Sequence, residues 1–278
     1  MIHRCYESLL RQTCKDFEWI IVDDGSEDDT QGVIAGFCTD EFPIIKIKKE
    51  NGGKHTALNA AHPYIHGKYV LILDSDDYLT DTAVEEVLEA WERYKDNEIV
   101  GVVTFLRGST DGKPVCTVAD YEKPVDILRY RRQCRISCDC CEVIRTKLFK
   151  EFPFPVYEGE RFVAECALWN RVARKYKCVY IDSAIYICEY LEGGLTKSGR
   201  SMRIKNPKGG MFTSNLRMHN GNYFFQRPKY GVLYTCYGRF AKKSIFQMLK
   251  ETGNPALAAI CYPAGIMLYL LWKRKYAA

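Results

Sequence analysis

Two short acidic runs hold the residues best able to do chemistry. Asp23-Asp24-Gly25-Ser26 follows an apolar run at 17–22, and Asp74-Ser75-Asp76-Asp77 follows another at 69–73. Carboxylates gathered in such turns repel one another unless a cation joins them. For Asp74 and Asp76, two positions apart, coordination chemistry points to Mg²⁺ or Mn²⁺, hard ions that take carboxylate oxygen and fill the remaining positions with water and phosphate. Each acidic pair could instead cap the helix after it, as Asp and Ser commonly do. Finding the pattern twice in one chain favours the ion. Between the two runs lies Asn51-Gly52-Gly53-Lys54-His55, where glycine lets backbone approach a ligand and Lys54 places a cation beside it. The spacing is not that of a P-loop; read alone, Gly-Gly is a turn and Lys54 a solvated side chain. A third group, Cys134, Cys138, Cys140 and Cys141, lacks the paired spacing of a zinc knuckle and reads as buried thiols.

Regular elements must carry these turns. Ile2, Tyr6, Leu9 and Leu10 recur at helical spacing and predict a helix before a strand at 17–22. Val33, Ile34 and Phe37 predict a second helix, followed by a strand at 44–47 and a short helix from about Thr56. The unbroken apolar run at 69–73 is what a strand covered on both faces requires. A helix at 84–94 and strands at 99–105, 141–144 and 179–187 follow, with a helix at 162–176 whose stripe is Ala164, Leu168, Trp169 and Val172. Alternation of this kind predicts an α/β fold with a mostly parallel sheet and helices on both faces. In such sheets ligands bind at the carboxyl edge, where both acidic turns would lie.

In this order and separation, the three segments resemble the N-terminal part of family 2 glycosyltransferases, which have the Rossmann-like GT-A fold. They are Phe-Glu-Trp-Ile-Ile-Val-Asp-Asp-Gly-Ser-Glu-Asp-Asp-Thr, Asn-Gly-Gly-Lys-His-Thr-Ala-Leu-Asn and Tyr-Val-Leu-Ile-Leu-Asp-Ser-Asp-Asp. The resemblance implies that Asp23 and Asp24 hold the base and ribose of a nucleotide sugar, with Lys54 and Asp74 also on the nucleotide. It implies a metal on Asp74 and Asp76, with Asp77 substituting in part. Further on, Glu165-Cys-Ala-Leu-Trp169 is similar to the family's acidic residue four positions before a tryptophan near the acceptor. Glu165 is then the implied general base. Many members carry a second carboxylate beside it, where this sequence has Ala164. The run from Glu158 through Glu160 to Glu165, with Leu195-Thr196, resembles a bacterial branch that builds surface polysaccharides. Family members open with an apolar strand ending in a Pro-x-Tyr-Asn-like turn, whereas this sequence opens in the following helix, so the first strand is expected to be missing from it.

Composition narrows the rest. A chain of 278 residues, 47% hydrophobic and 27% charged, can bury a sizeable core, which excludes disordered and low-complexity classes. Thirteen cysteines without framework spacing, and no apolar signal segment at the start, predict free thiols in a reducing cytosol. The net charge of +5 conceals a polarity: residues 197–250 hold twelve Lys or Arg and no Asp or Glu, so the body before them is acidic. Next comes an uncharged stretch at 255–272, interrupted by Pro263 and Gly265 and followed by Lys273-Arg274-Lys275. Basic and apolar stretches side by side point to an anionic membrane surface, and no nucleic-acid-binding motif accompanies them.

The expected division is residues 1–196 as the GT-A domain and 197–278 as a membrane-associating segment. Within the latter, 255–272 would be an interfacial or half-inserted helix pair, or else a core helix. The expected activity is an inverting, metal-dependent transfer from a nucleotide sugar, by resemblance a uridine diphosphate sugar, to a glycan or lipid-linked acceptor of bacterial surface polysaccharide. Its place would be the cytoplasmic face of the cell membrane. A nucleotidyltransferase and a catalytically silent membrane-docking protein are the alternatives at this level.

Overall fold

A computed structural model describes residues 1–118, 122–133, 139–188 and 195–276. Contacts divide the chain into two compact units. One comprises Met1–Lys49, Ala60–Pro153 and Lys175–Leu191; the other comprises Glu50–Asn59, Phe154–Arg174 and Glu192–Ala278. The division therefore does not fall at 196. The Gly-Gly segment and the stretch around Glu165 belong with the C-terminal helices, because they pack on one another and on those helices.

The first unit opens with a helix, Ile2–Leu10, whose buried face is Cys5, Ser8 and Leu9. Strands β1 (Trp19–Asp23) and β2 (Ile44–Lys48) pair in parallel, with Asp23 opposite Lys48. Strands β3 (Tyr69–Leu71), β4 (Tyr78–Leu79), β5 (Val100–Gly108), β6 (Cys141–Arg145) and β7 (Lys177–Ile187) form a second sheet in the order β3-β6-β5-β7-β4. The α/β class is as expected, but pairing in this sheet is mixed. β5 and β7 are parallel, while β3–β6, β5–β6 and β4–β7 are antiparallel. Hydrophobic periodicity identifies a strand and says nothing of its direction, so the expected parallel sheet was a statement about connections alone.

Burial follows position in the sheet. Central β5 is covered on both faces, with Val100, Val102, Val103, Phe105 and Leu106 all buried. The run at 69–73, expected to be covered in that way, instead supplies the short outer strand β3, and its residues are part-buried. Trp91, from helix Ala83–Tyr94, stacks on Tyr69 at 4.3 Å and joins Val87, Val103 and Ile185 in the core.

In the second unit, helices Leu195–Lys205, Pro207–His219, Arg227–Phe240, Ile245–Glu251 and Pro255–Tyr276 surround their own core, which includes Met211, Met218, Tyr234 and Met248. Residues 255–276 form one continuous helix of 22 residues, not a helix pair. Pro263 lacks a backbone donor, yet the helix is seated on Arg227–Phe240 on both sides of that position. A Cβ on Gly231 would lie 2.7 Å from Cys261 Sγ, and one on Gly265 would overlap Thr235 Oγ1. Opposite this seat, Ile260, Ala264, Met267 and Leu271 recur at helical spacing and are exposed.

Ten described cysteines are free, Cys140 and Cys141 among them and buried. Cys116 is disulfide-bonded, so the expectation of free thiols fails there, since spacing cannot exclude a single bridge. Cys134 and Cys138 lie outside the described residues.

Candidate active site

Asp23 is the last residue of β1, and the chain turns immediately after it through Gly25, whose φ of +76° suits glycine. The Ser26 backbone N–H donates to Asp23 Oδ1 at 2.8 Å. Asp23 Oδ2 is buried and takes no close hydrogen bond. Burial works against the charge on Asp23, but hydrogen bonding from Ser26 and Gln31 and the charge of Lys48 outweigh it and hold the carboxyl below its ordinary range. Asp24 Oδ1 lies 2.6 Å from Lys49 Nζ. The β1–β2 edge thus presents two carboxylates, and the buried Oδ2 of Asp23 is suited to an N–H or hydroxyl donor on a ligand.

The second acidic turn runs from Asp74 to Asp77 between β3 and β4 and is held by residues that sequence reasoning missed. Tyr186, in β7, accepts a hydrogen bond from the Asp74 backbone N–H at 3.0 Å and donates one to Asp77 Oδ2 at 2.8 Å. Burial and the nearby Asp74 push the Tyr186 phenol well above its ordinary range, so it stays neutral and keeps its proton to donate. Arg107, opposite Tyr186 in β5, lies over the Tyr186 ring at 4.2 Å and reaches Asp77 Oδ2 at 3.6 Å. Arg4, from the first helix, donates to the Asp76 carbonyl at 2.7 Å. No spacing rule pairs a tyrosine at 186 with an aspartate at 77; the only hint is that a buried acidic turn needs donors.

Asp77 is consequently committed inward, while Asp74 and Asp76 are less buried. Burial, together with the charges of Asp76 and Asp74, raises the Asp77 carboxyl, although Tyr186 and Arg107 pull the other way. The Cys5 thiol beside the turn is pushed up to about 12 by burial, Asp77 and Asp74. Burial is the larger cause in both, and the neighbouring carboxylates add a repulsion that a divalent cation would relieve. Among the described residues no cluster of three or more His, Cys, Asp or Glu could hold a metal unaided. Two carboxylates completed by phosphate and water are the usual setting of Mg²⁺, so Asp74 and Asp76 fit such an ion bound together with a diphosphate.

Glu165 and Lys54 meet in the second unit. Glu165 is not inside a helix but is the N-cap of Cys166–Val172, which is anchored by buried Ala167, Leu168 and Val172, with Trp169 half-buried. Its carboxylate Oε1 lies 2.7 Å from Lys54 Nζ, the two side chains being 39% and 41% exposed. Asn59 binds Phe154 reciprocally, donating to its carbonyl and accepting from its N–H, both at 2.8 Å. Gly53, at φ +89°, packs so closely on Arg161 that a Cβ would overlap the Arg161 carbonyl oxygen. On its other side the same loop is tied to helix Pro207–His219. Asn206 accepts the Arg161 N–H at 2.6 Å, and buried Glu160 accepts the N–H groups of Lys208 and Gly209 at 2.8 and 2.9 Å. Glu160 therefore complements the positive end of that helix. Glu158 is exposed.

An α/β fold with acidic turns at its strand ends is a class of architecture in which ligands bind at the carboxyl edge of the sheet. Residues 1–152 match the model of glycosyl transferase family 2, which is more than half of the chain. The protein belongs to that family. A chondroitin synthase of Pasteurella multocida is 42% identical over 106 residues, 38% of this chain and 11% of the synthase. The chain thus spans only a small part of that relative's length. Staphylococcus aureus TarS 1-349, solved with UDP-GlcNAc, superposes with a TM-score of 0.68 at 16% identity, covering 99% of this chain and 87% of that one. A mannosyltransferase of Pyrobaculum calidifontis, solved with GDP-Man and Mn²⁺, gives 0.57 at 16%, with 99% and 80% covered. These likenesses establish the GT-A fold.

Proposed function

We propose that the protein transfers a sugar from a nucleotide sugar, of the uridine diphosphate class, to a hydroxyl of a glycan or lipid-linked acceptor in bacterial surface polysaccharide synthesis, with inversion at the anomeric carbon. The buried Oδ2 of Asp23, short of a close hydrogen bond, carries the donor half of the reading, because an imide N–H of a base is the kind of group it can accept from. Asp24 and Lys54 would complete the nucleotide contacts, and Asp74 and Asp76 would hold Mn²⁺ or Mg²⁺. A bound ion of that type supplies charge neutralisation at a departing diphosphate. In the transfer, the acceptor oxygen bonds to the anomeric carbon while the bond from that carbon to the diphosphate oxygen breaks. Its electron pair leaves with the nucleoside diphosphate. The acceptor proton passes to the Glu165 carboxylate and afterwards to solvent.

Incubation with a uridine diphosphate sugar and analysis of the released product tests this. Nucleoside diphosphate is expected, and pyrophosphate would favour a nucleotidyltransferase. Calorimetric titration of the Asp76→Asn protein should show loss of metal-dependent donor binding. Undiminished metal-dependent affinity would remove Asp76 from the site.

Helix Pro255–Tyr276 supports peripheral association with a membrane, on this reading at its cytoplasmic face. At about 1.5 Å per residue it is long enough to cross a bilayer, with a mean hydropathy of 1.6 over its most apolar window. Packing along one face favours lying on the surface, with Ile260, Met267 and Leu271 entering the lipid and Lys273, Arg274 and Lys275 meeting anionic headgroups. A triple change, Ile260→Glu, Met267→Glu and Leu271→Glu, leaves the seated face intact and should release the protein from phosphatidylglycerol vesicles. Unchanged flotation with the vesicles would sink the idea.

A further inference from the structure

The Asn-Gly-Gly-Lys segment is tied to the stretch that carries Glu165 by more than one contact. Asn59 and Phe154 exchange two hydrogen bonds, Gly53 rests on the Arg161 carbonyl, and Lys54 Nζ meets Glu165 Oε1 at 2.7 Å. An isolated ion pair exposed to this degree contributes little to stability, because fixing two long side chains offsets the attraction. Here both backbones are already fixed, so what the pair adds is the orientation of the two side chains. Resting on the reading of Glu165 as the base, we infer that Lys54 is a positioning residue for the transfer step. Its ammonium group fixes the carboxylate of Glu165 in the rotamer that meets the acceptor hydroxyl, in addition to any contact with the donor.

The chemistry suits this division of work. Glu165 is an N-cap whose side chain makes no capping hydrogen bond, so helix Cys166–Val172 fixes its backbone without fixing its carboxylate. Lys54 is the first residue of helix Lys54–Ala61, which fixes its backbone in the same way. When the acceptor proton reaches Glu165, the ammonium keeps its own proton and is not a party to the transfer. A carboxylate released to rotate would spend a fraction of its time aimed at the acceptor, and turnover would fall in proportion.

Steady-state transfer by the full chain tests the inference with four proteins: Lys54→Met, Lys54→Arg, Glu165→Gln and the double variant Lys54→Met/Glu165→Gln. Lys54→Met should lower kcat at saturating donor by about 10- to 100-fold, over and above any rise in donor KM from the lost nucleotide contact, and Lys54→Arg should recover most of kcat. In the Glu165→Gln background, Lys54→Met should cost less than about twofold more, since the group it positions is gone. Circular dichroism melting checks that each variant is folded, which the exposure of Lys54 favours. A Lys54→Met protein with parental kcat at saturating donor and a raised KM would overturn the inference and leave Lys54 a donor ligand. So would an equal loss in both backgrounds. A Glu165→Gln protein with the parental rate would instead overturn the base assignment itself.

Discussion

The two acidic centres are held by opposite means. The turn at Asp74 to Asp77 is fixed from beneath by a buried phenol and a guanidinium on neighbouring strands, so its geometry is part of the core. Glu165 stands on a loop clamped at both ends, and its carboxylate is steered by one exposed lysine. A group that must hold a charged ligand in fixed coordination gains from a rigid floor. A group that must take up a proton and give it back to water gains from access to solvent. The first arrangement makes site geometry and stability inseparable, and the second lets activity change with little effect on stability.

Four substitutions or titrations would break or sharpen that contrast. The largest effect is expected from Glu165→Gln, which keeps shape and loses proton affinity; single-turnover transfer should fall by about 10² to 10⁴ with donor affinity barely changed. Melting of the same protein should match the parent, and a large loss of stability would show that Glu165 is structural. Gly53→Ala comes next. The new methyl overlaps the Arg161 carbonyl at a positive φ, so about 3 kcal/mol of stability should be lost, or the clamp should open. Urea unfolding reads the first outcome and a fall in kcat the second; a neutral result on both would mean that the close approach is dispensable.

Tyr186→Phe should cost about 1–3 kcal/mol, because it leaves the Asp74 N–H and the Asp77 carboxylate short of a partner in a buried place. It should also weaken metal-dependent donor binding, and a variant that melts earlier yet binds donor normally would separate floor from site. The smallest effect concerns pH. Asp77 has a raised carboxyl in the fold, so its contribution is greatest below the ordinary carboxylate range and is lost as pH rises through the raised value. Asp23 is lowered, so its contribution is present above the ordinary range and lost as pH falls through the lowered value. Melting temperature against pH should therefore lose, in Asp77→Asn, the decline that sets in above the ordinary carboxylate range, and in Asp23→Asn part of its acid decline. Identical profiles in all three proteins would refute both assignments.

Much of the fold was legible. Nearly every expected strand and helix is present, because apolar runs and helical stripes report which residues must be buried. Strand direction and rank in the sheet were not, which is why 69–73 looked central and is an outer strand. The motifs singled out Asp23, Asp24, Asp74, Asp76, Lys54 and Glu165 as candidates, since these lie in contiguous signatures. Their supports were hidden, because Tyr186 with Asp77 and Glu160 with Gly209 are distant in sequence and chemically ordinary. Asn59 is the partial exception. It closes the quoted glycine motif, and its two bonds to Phe154 give that position a reason.

Glu160 offers a practical lever. Its two oxygens hold the first turn of helix Pro207–His219 to the loop that carries Glu165, five residues further along. Shortening that tether by Glu160→Asp would draw on loop and helix alike, and Asn206→Asp would set a charged oxygen beside Glu160 where an amide now accepts the Arg161 N–H. On the reading of Glu165 as the base, both residues act through backbone N–H groups that join that helix to the loop carrying it, so changes there should move the rate of transfer in graded steps.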